Sequence, residues 1–339
     1  MDHGPWNGLS DEQLLEKRIS QLKLQLQDSH LQPLIEQLHR ELAARNLTFH
    51  PPCHVGDEWF VPVGIPAIYI PFFLVHERLE RLERRFLLEV EGDTPGAFMK
   101  LLRHEAGHAY AYAYQLYRKK RWQRMFGLTS FEETPAYYRP RPYSKAYVIH
   151  LDDWYAQSHP DEDFAETFAV WLTPDSDWQE RYKDWKAFHK LQYVDELMKG
   201  LAGMNPTHAP AYKPSDYDFL NIKLKNYYLR KRKEQEETYP DFYDQDLRRL
   251  FPANPDDAGS VRAATWLRRH RRPLLNSICE WTKDRRYPVA KLLKRLIERC
   301  DDLNLALKSS EMDPSLHVSA YITTLVMNHL FTGKFKRTK

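Results

Sequence analysis

The segment His104-Glu105-Ala106-Gly107-His108 restricts the local structure more than any other stretch of this chain. Two histidines four residues apart lie one above the other on the same face of an α-helix, so both imidazoles can reach one cation. Neutral imidazole nitrogen binds Zn²⁺ at about 2.0–2.1 Å, and a glutamate beside the first histidine can move protons at such a centre. The segment therefore predicts a helix that presents His104 and His108 as metal ligands and Glu105 as a general base.

The flanking residues predict one long helix from Pro95 to about Phe126. Thr94 is a good N-cap, and proline suits the first helical position. Gly107 inside this helix costs about 1 kcal/mol relative to alanine, which indicates the close approach of another element or of a ligand. The alternative interpretation is that two surface histidines share one face of an amphipathic helix.

A catalytic zinc ion normally has three protein ligands and an open position for water. Ala111 and Tyr114 occupy the places where one subclass of these sites carries its glycine and its third histidine, so that subclass is excluded. Another subclass of these sites uses a glutamate on a second helix, and two regions offer candidates. Glu132 and Glu133 form one candidate region, but Pro135 follows them closely and indicates a loop.

The second candidate region, residues 159–169, is predicted to be helical because Pro160 suits a first turn and acidic residues follow it. Glu162 and Glu166 lie on one face of this helix, four residues apart. A dication or its histidine ligands would remove the repulsion between these like charges. We predict Glu162 as the third ligand and Glu166 as the group that accepts a hydrogen bond from the far nitrogen of a ligating histidine. One alternative is that Glu162 and Glu166 exchange these roles. The other is that both are solvated carboxylates at the start of a helix.

The combination of His-Glu-x-x-His with a distant Glu-x-x-x-Glu resembles the gluzincin metallopeptidases. The stretches Tyr155-Ala156, His159-Pro160 and Glu162 to Thr167 are similar to those of uncharacterised bacterial zinc-binding metallopeptidases, which are related to lethal factor-like catalytic domains. The resemblance covers roughly residues 95–175. It implies a zincin-like domain in which a small sheet packs on active-site helices, one Zn²⁺ per chain, and hydrolysis of peptide bonds.

The resemblance also implies roles for individual residues. In these relatives the first glutamate of the pair is the ligand, which favours Glu162 over Glu166, and a tyrosine seven residues earlier supports the oxyanion. Tyr155 occupies that place. A phenol O–H aimed at a developing oxyanion stabilises charge that is absent from the ground state. The alternative for Tyr155 is simple packing, and His159 is either a further site residue or the cap of the helix that it precedes.

The 339 residues are enough for two domains. Short apolar runs punctuated by proline and glycine at residues 47–72 predict a small strand region, and residues 146–151 predict another strand. Beyond residue 258 the pattern is helical throughout. We therefore predict an α+β fold, with a zincin-like metallopeptidase domain and its N-terminal helices at residues 1–250 and an all-helical C-terminal domain at residues 258–339.

The C-terminal segment is strongly basic. Residues 258–339 contain 17 Lys/Arg and 7 Asp/Glu, a net charge of +10, whereas the whole chain carries +3 and residues 1–257 therefore carry −7. The densest clusters are residues 268–272 and residues 334–337. Such a field attracts acidic peptides, RNA or anionic lipid, although a solvated face or docking onto the acidic first part explains it more simply.

Composition narrows the compartment and the partners. No apolar window is long enough to predict a membrane span, and the N-terminus lacks the pattern of a secretory signal. Cys53, Cys279 and Cys300 are odd in number and widely spaced, which favours buried free thiols in a reducing cytoplasm. We expect a cytoplasmic protein without a membrane partner. Its substrate would be a peptide or a protein, and the basic segment makes an acidic substrate one option.

Three functions remain open from the sequence alone. A zinc-dependent peptidase is favoured because Glu105 and Tyr155 are both present. A regulatory protein-binding factor on a zinc-peptidase scaffold would tolerate the loss of both residues. A nucleic-acid-associated factor would use the basic C-terminal domain and would bind with a strong salt dependence, although no specific nucleic-acid motif is visible.

Overall fold

A computed structural model describes residues 6, 8–129, 141, 143–152, 154–208, 218–234, 243–253, 255–257, 259–308 and 314–332. The chain divides into two compact units. The first unit comprises Met1–Phe86 and Val90–Leu229, and the second comprises Leu87–Glu89 and Arg230–Lys339. The domain boundary near residues 250–258 stays a prediction.

Helices dominate the described part of the first unit, and one small sheet accompanies them. The helices up to residue 234 are α1 (Asp11–Leu15), α2 (Gln32–Ala44), α3 (Glu77–Leu87), α4 (Pro95–Ala113), α5 (Lys120–Phe126), α6 (Pro160–Leu172), α7 (Trp178–Arg181), α8 (Ala187–Leu201) and α9 (Leu224–Glu234). Single 3₁₀ turns cover Ile19–Leu22, Phe72–Val75, Leu116–Arg118, Tyr155–Gln157 and Asp218–Asn221. The strands β1 (Cys53–Gly56) and β2 (Ile68–Pro71) pair in parallel, with Cys53 opposite Ile68.

The core of the first unit is built around the contact between α4 and α6. On α4, Phe98, Leu102, Ala106 and Tyr110 recur every four residues and are fully buried. On α6, Phe164 and Phe168 are fully buried, and the Phe168 ring stacks on Tyr110 with centroids 5.2 Å apart. The apolar strand β2 packs against α4. Each such large side chain contributes about 1.5–3 kcal/mol by leaving water, so this stripe fixes the two helices against each other.

The start of α4 is confirmed, but its predicted length is wrong. The Thr94 hydroxyl accepts a hydrogen bond from the Ala97 amide, and Pro95 takes the first helical position. The helix ends at Ala113, because Gln115 adopts a left-handed conformation with φ 49° that α-helix cannot continue through. A 3₁₀ turn and the separate helix α5 follow.

The predicted strand at residues 146–151 is wrong, since the structure assigns none there. Side chains, rather than a neighbouring strand, form hydrogen bonds with the backbone of this segment. The Tyr182 hydroxyl lies 3.1 Å from the Ile149 amide nitrogen and 3.2 Å from its carbonyl oxygen. The Leu151 amide donates to the Glu166 carboxylate at 2.8 Å. An extended apolar segment can therefore be buried without sheet pairing when such groups replace the ladder.

The described part of the second unit is helical apart from one pair of short strands. Its elements beyond α9 are α10 (Asp244–Leu250), β3 (Ser260–Arg262), α11 (Ala263–Thr282), α12 (Arg286–Asp302), β4 (Ala306–Lys308) and α13 (Ser315–Thr332). Helix α11 packs on both α12 and α13. Strands β3 and β4 pair antiparallel, with Val261 opposite Leu307, so the prediction of an all-helical C-terminal domain is wrong in this respect. Pro273 lies exposed inside α11, which runs on through it.

The coarse prediction of an α+β fold agrees with a mostly helical chain whose described residues include two small two-stranded sheets. None of the helices in the described ranges is both long and apolar enough to cross a bilayer. The three cysteines are free thiols. Burial raises the pKa of each of Cys53, Cys279 and Cys300 to about 12, so all three are protonated at neutral pH.

Candidate metal centre

Helices α4 and α6 bring two imidazoles and one carboxylate to a single point. Glu162 Oε2 lies 3.0 Å from His104 Nε2 and 3.1 Å from His108 Nε2. The two Nε2 atoms are themselves 3.1 Å apart. His104 and Glu162 are buried, and His108 is partly buried. This group of three side chains could hold a metal ion.

The hydrogen bonds around His104 show why a cation fits between these atoms. Its Nδ1 lies 2.8 Å from Glu166 Oε1, and a carboxylate only accepts, so Nδ1 carries the proton of the neutral ring. The Nε2 lone pair then faces the Glu162 carboxylate and the second imidazole. Three electron-rich atoms at about 3 Å repel one another unless a proton on an imidazole or a bound cation lies among them. Tetrahedral bonds of about 2.0–2.1 Å place ligand atoms about 3.4 Å apart, so shifts of a few tenths of an ångström would suit zinc.

The pKa shifts of His104 and Glu162 show that each group stabilises the charged form of the other. Burial alone would lower the pKa of His104, but hydrogen bonds with Glu162 and Glu166 raise it well above its usual range. Burial alone would raise the pKa of Glu162, but the two histidines lower it well below its usual range. The pair therefore favours a positive charge on the histidine side and a negative charge on Glu162.

Glu166 of α6 binds both His104 of α4 and the backbone of the segment that precedes α6. One carboxylate oxygen binds His104 Nδ1, and the other accepts the Leu151 amide at 2.8 Å. Only 1% of Glu166 is exposed. Both oxygens are thus engaged, which fixes the orientation and the tautomer of the His104 ring. Sequence spacing predicts that Glu162 and Glu166 share a face, but it carries no signal for the bond to Leu151.

Gly107 allows the two ligand helices to touch. A Cβ atom at this position would lie 2.8 Å from the Ala165 Cα atom and 3.2 Å from the Ala165 carbonyl oxygen. Both are backbone atoms of α6, which cannot move aside without moving the helix. The interior glycine predicted the close approach of another element, and the structure confirms it. This approach is what allows Glu162 to reach the two histidines of α4.

Glu105 lies beside the ligands and is buried. Burial raises the pKa of its carboxyl group, while His104 and His108 act in the opposite direction. No hydrogen-bond partner of this carboxylate is found within the described ranges. A buried carboxylate of raised pKa that none of the described groups binds is suited to exchanging a proton with a small molecule in the site.

Tyr155 lies next to the first ligand. Its ring centroid is 5.7 Å from that of His104. It opens a single 3₁₀ turn that follows Trp154, whose backbone is left-handed with φ 54°. A non-glycine residue is costly in that region by roughly 1–2 kcal/mol, so the surrounding packing must hold this turn. His159 caps α6, since its Nδ1 accepts the Asp161 amide at 3.2 Å.

Two largely buried ion pairs join the ligand helices to their neighbours, and neither was predicted. Arg103 of α4 forms two hydrogen bonds of 2.7 Å with Glu41 of α2. Asp163 of α6 pairs with Lys190 of α8 at 2.5 Å, and this ammonium also lies 4.2 Å from the Tyr147 ring centroid. Arg103 directly precedes His104 and Asp163 directly follows Glu162 in the sequence, so each ion pair fixes the backbone next to a ligand. Their partners are too distant in sequence for any local pattern to reveal them.

Several other predicted residues lie elsewhere. The alternative ligands Glu132 and Glu133 and the cluster at residues 334–337 lie outside the described residues. In the second unit, Arg268 pairs with Asp301, and Arg269, Arg271 and Arg272 are exposed on α11. The basic helix face therefore exists, and its partner stays a prediction.

No family model, no curated protein and no solved structure matches the chain. The functional assignment therefore depends on the geometry of the site itself.

Proposed function

We propose that the protein is a zinc-dependent peptidase of the gluzincin type, with His104, His108 and Glu162 as the zinc ligands in a zincin-like domain. One observation carries the proposal. Three donor atoms of the N, N, O set that catalytic zinc prefers, from buried His104 and Glu162 and partly buried His108, converge within about 3 Å of one another. Glu105, which is buried, directly follows His104 in the sequence. A structural zinc site normally has four protein ligands, whereas three leave one position for a reactant.

The proposed chemistry divides the reaction among the residues of the site. Zinc, when bound, supplies a Lewis acid that polarises a carbonyl group and lowers the pKa of a water molecule. Glu105 takes the proton of the attacking water and delivers it to the departing nitrogen. Tyr155 donates a hydrogen bond to the oxygen that becomes negative. Glu166 keeps the His104 ring in the tautomer whose Nε2 can bind the ion.

The substrate in this proposal is a peptide or protein, and one Zn²⁺ is bound per chain. We place the reaction in the cytoplasm, because the three cysteines are free thiols and a reducing compartment keeps them so. An acidic substrate stays one option, since α11 presents exposed arginines.

The test combines metal analysis with digestion of a peptide library. We expect one zinc per purified chain and cleavage that a chelator abolishes and added zinc restores. The variant His108→Ala should lose both zinc and cleavage. The matched control His39→Ala, which removes an imidazole stacked on His50 rather than on the centre, should keep both. A protein that binds no zinc, or that cleaves equally well with chelator, would overturn the proposal.

A further inference from the structure

Tyr112 lies on the ligand helix in a position that the proposed chemistry does not use. It follows His108 by four residues, one turn further along α4 and on the same face. It follows Glu105 by seven residues, which is nearly two full turns, so the two side chains project in almost the same direction. The general base and this phenol therefore lie along one line on the helix, with His108 between them in sequence.

The surroundings of Tyr112 are those of the metal centre. The residue is only 7% exposed, and its ring meets that of Tyr117 edge-on with centroids 6.1 Å apart. Burial and the carboxylates of Asp161 and Glu162 raise the pKa of its hydroxyl. The group thus stays protonated and remains a hydrogen-bond donor. The nearby Asp161 carboxylate already accepts a bond from the Thr129 hydroxyl at 2.8 Å.

The hydroxyl of Tyr112 differs from those of its neighbours on the helix. The Tyr110 hydroxyl donates to the Phe49 carbonyl oxygen at 2.6 Å, and the Tyr114 hydroxyl donates to the Met204 carbonyl oxygen at 2.8 Å. No hydrogen-bond partner of the Tyr112 hydroxyl is found in the described part of the chain. Phenylalanine would fill the same space, so packing alone does not explain a tyrosine at this position. A hydroxyl beside the candidate centre that none of the described groups binds is available to a substrate.

We propose that the Tyr112 hydroxyl is a substrate-binding group, donating a hydrogen bond to a backbone carbonyl oxygen of the bound peptide next to the scissile bond. The inference rests on the proposed function. A peptide supplies carbonyl acceptors at regular intervals, whereas the protein groups around Tyr112 include carboxylates that repel such oxygens. A neutral hydroxyl can donate to a backbone carbonyl oxygen, which these carboxylates cannot do when ionised. Tyr155 beside His104 and Tyr112 beyond His108 would then hold two successive carbonyl groups.

The experiment compares Tyr112→Phe with Tyr114→Phe in the zinc-loaded full chain. Calorimetry measures the affinities for zinc, for acetohydroxamate, which reaches only the metal, and for the dipeptidyl probe Pro-Leu hydroxamate, which also presents backbone carbonyls. For Tyr112→Phe we expect unchanged affinity for zinc and acetohydroxamate but about tenfold weaker binding of the dipeptidyl probe, the usual cost of one lost hydrogen bond. The Tyr114→Phe control should bind all three as the wild type does.

Two further outcomes separate the inference from the proposed function. If the wild type binds zinc and both probes and cleaves peptides, while Tyr112→Phe binds the dipeptidyl probe as tightly as the wild type, the substrate-binding role is wrong and the peptidase stands. If the wild type binds neither zinc nor acetohydroxamate, the proposed function fails and the inference fails with it. Thermal unfolding of Tyr112→Phe should match that of the wild type, because none of the described groups binds this hydroxyl. Tyr114→Phe should unfold at a slightly lower temperature, because it loses the hydrogen bond to Met204.

Discussion

Both carboxylate oxygens of Glu166 form hydrogen bonds within the site. It holds the His104 ring with one oxygen and the Leu151 amide with the other. A neutral amide at this position could accept at one of these two bonds, but its NH₂ group would face a donor at the other. Because partners of this kind orient a ligating imidazole and raise its basicity, their loss typically weakens metal binding by 10- to 100-fold.

We therefore expect Glu166→Gln to lower the affinity for zinc by about 10- to 100-fold. Competition with a chromophoric chelator measures this directly. The control Glu196→Gln changes an exposed carboxylate on α8 that pairs with Arg121, and it should leave zinc affinity unchanged. Equal affinities for the two variants would show that Glu166 does not support the ligand.

Glu105 should affect turnover and not metal binding. Glu105→Gln keeps the size of the side chain but cannot take up a proton, and general acid–base catalysis typically contributes 10²- to 10⁴-fold. We expect a loss of peptide cleavage in this range with a full complement of zinc. Single-turnover kinetics and metal analysis of the same sample test both parts. Full activity in this variant would remove Glu105 from the mechanism.

At the scale of elements, the metal centre depends on the contact between α4 and α6. Gly107→Ala would place a methyl carbon 2.8 Å from a backbone atom of Ala165. Overpacking of this kind costs about 1–3 kcal/mol of unfolding free energy, partly offset by the better helix propensity of alanine. Separation of the helices should also weaken zinc binding, because Glu162 and the histidines lie on opposite sides of this contact.

Gly96→Ala is the matched control for Gly107→Ala. It lies in the first turn of the same helix, and an added Cβ meets nothing within 4 Å. It should leave zinc affinity unchanged and leave stability unchanged or raise it by up to about 1 kcal/mol. Urea unfolding and zinc titration of both variants check the pair. Similar stability and zinc affinity in the two variants would mean that the metal centre does not depend on the close contact between α4 and α6.

The elements that sequence predicts well are those defined by local chemistry. Thr94 and Pro95 begin α4, and the four-residue spacing of His104 and His108 depends only on helix geometry. The predictions fail where distant groups decide. Tyr182 replaces a strand neighbour for Ile149, and the partner of Asp163 is 27 residues away on α8. Such pairings depend on the packed structure, which no short window of sequence contains.

At the scale of the whole molecule, zinc should stabilise the first unit. All three ligands and Glu166 belong to residues 1–229. A ligand that binds only the folded state stabilises by about 2.7 kcal/mol at 100 times its dissociation constant. We expect slowed amide hydrogen exchange in α4 and α6 on addition of zinc to the chelator-treated full chain. Mass spectrometry of exchanged peptides measures it, and α11 and α12 should change least. Uniform slowing throughout, or none, would contradict this placement of the ion.

The state of the cysteines simplifies the counting of metal. Thiolate is the form that competes for zinc, and the three thiols remain protonated at neutral pH because burial raises their pKa values to about 12. Buried thiols of raised pKa are poor competitors for zinc, so we expect sulfur to add no second class of sites to a binding isotherm. A titration of the native chain with zinc should follow a single-site curve, whereas the same titration in denaturant, where the thiols are released, should not.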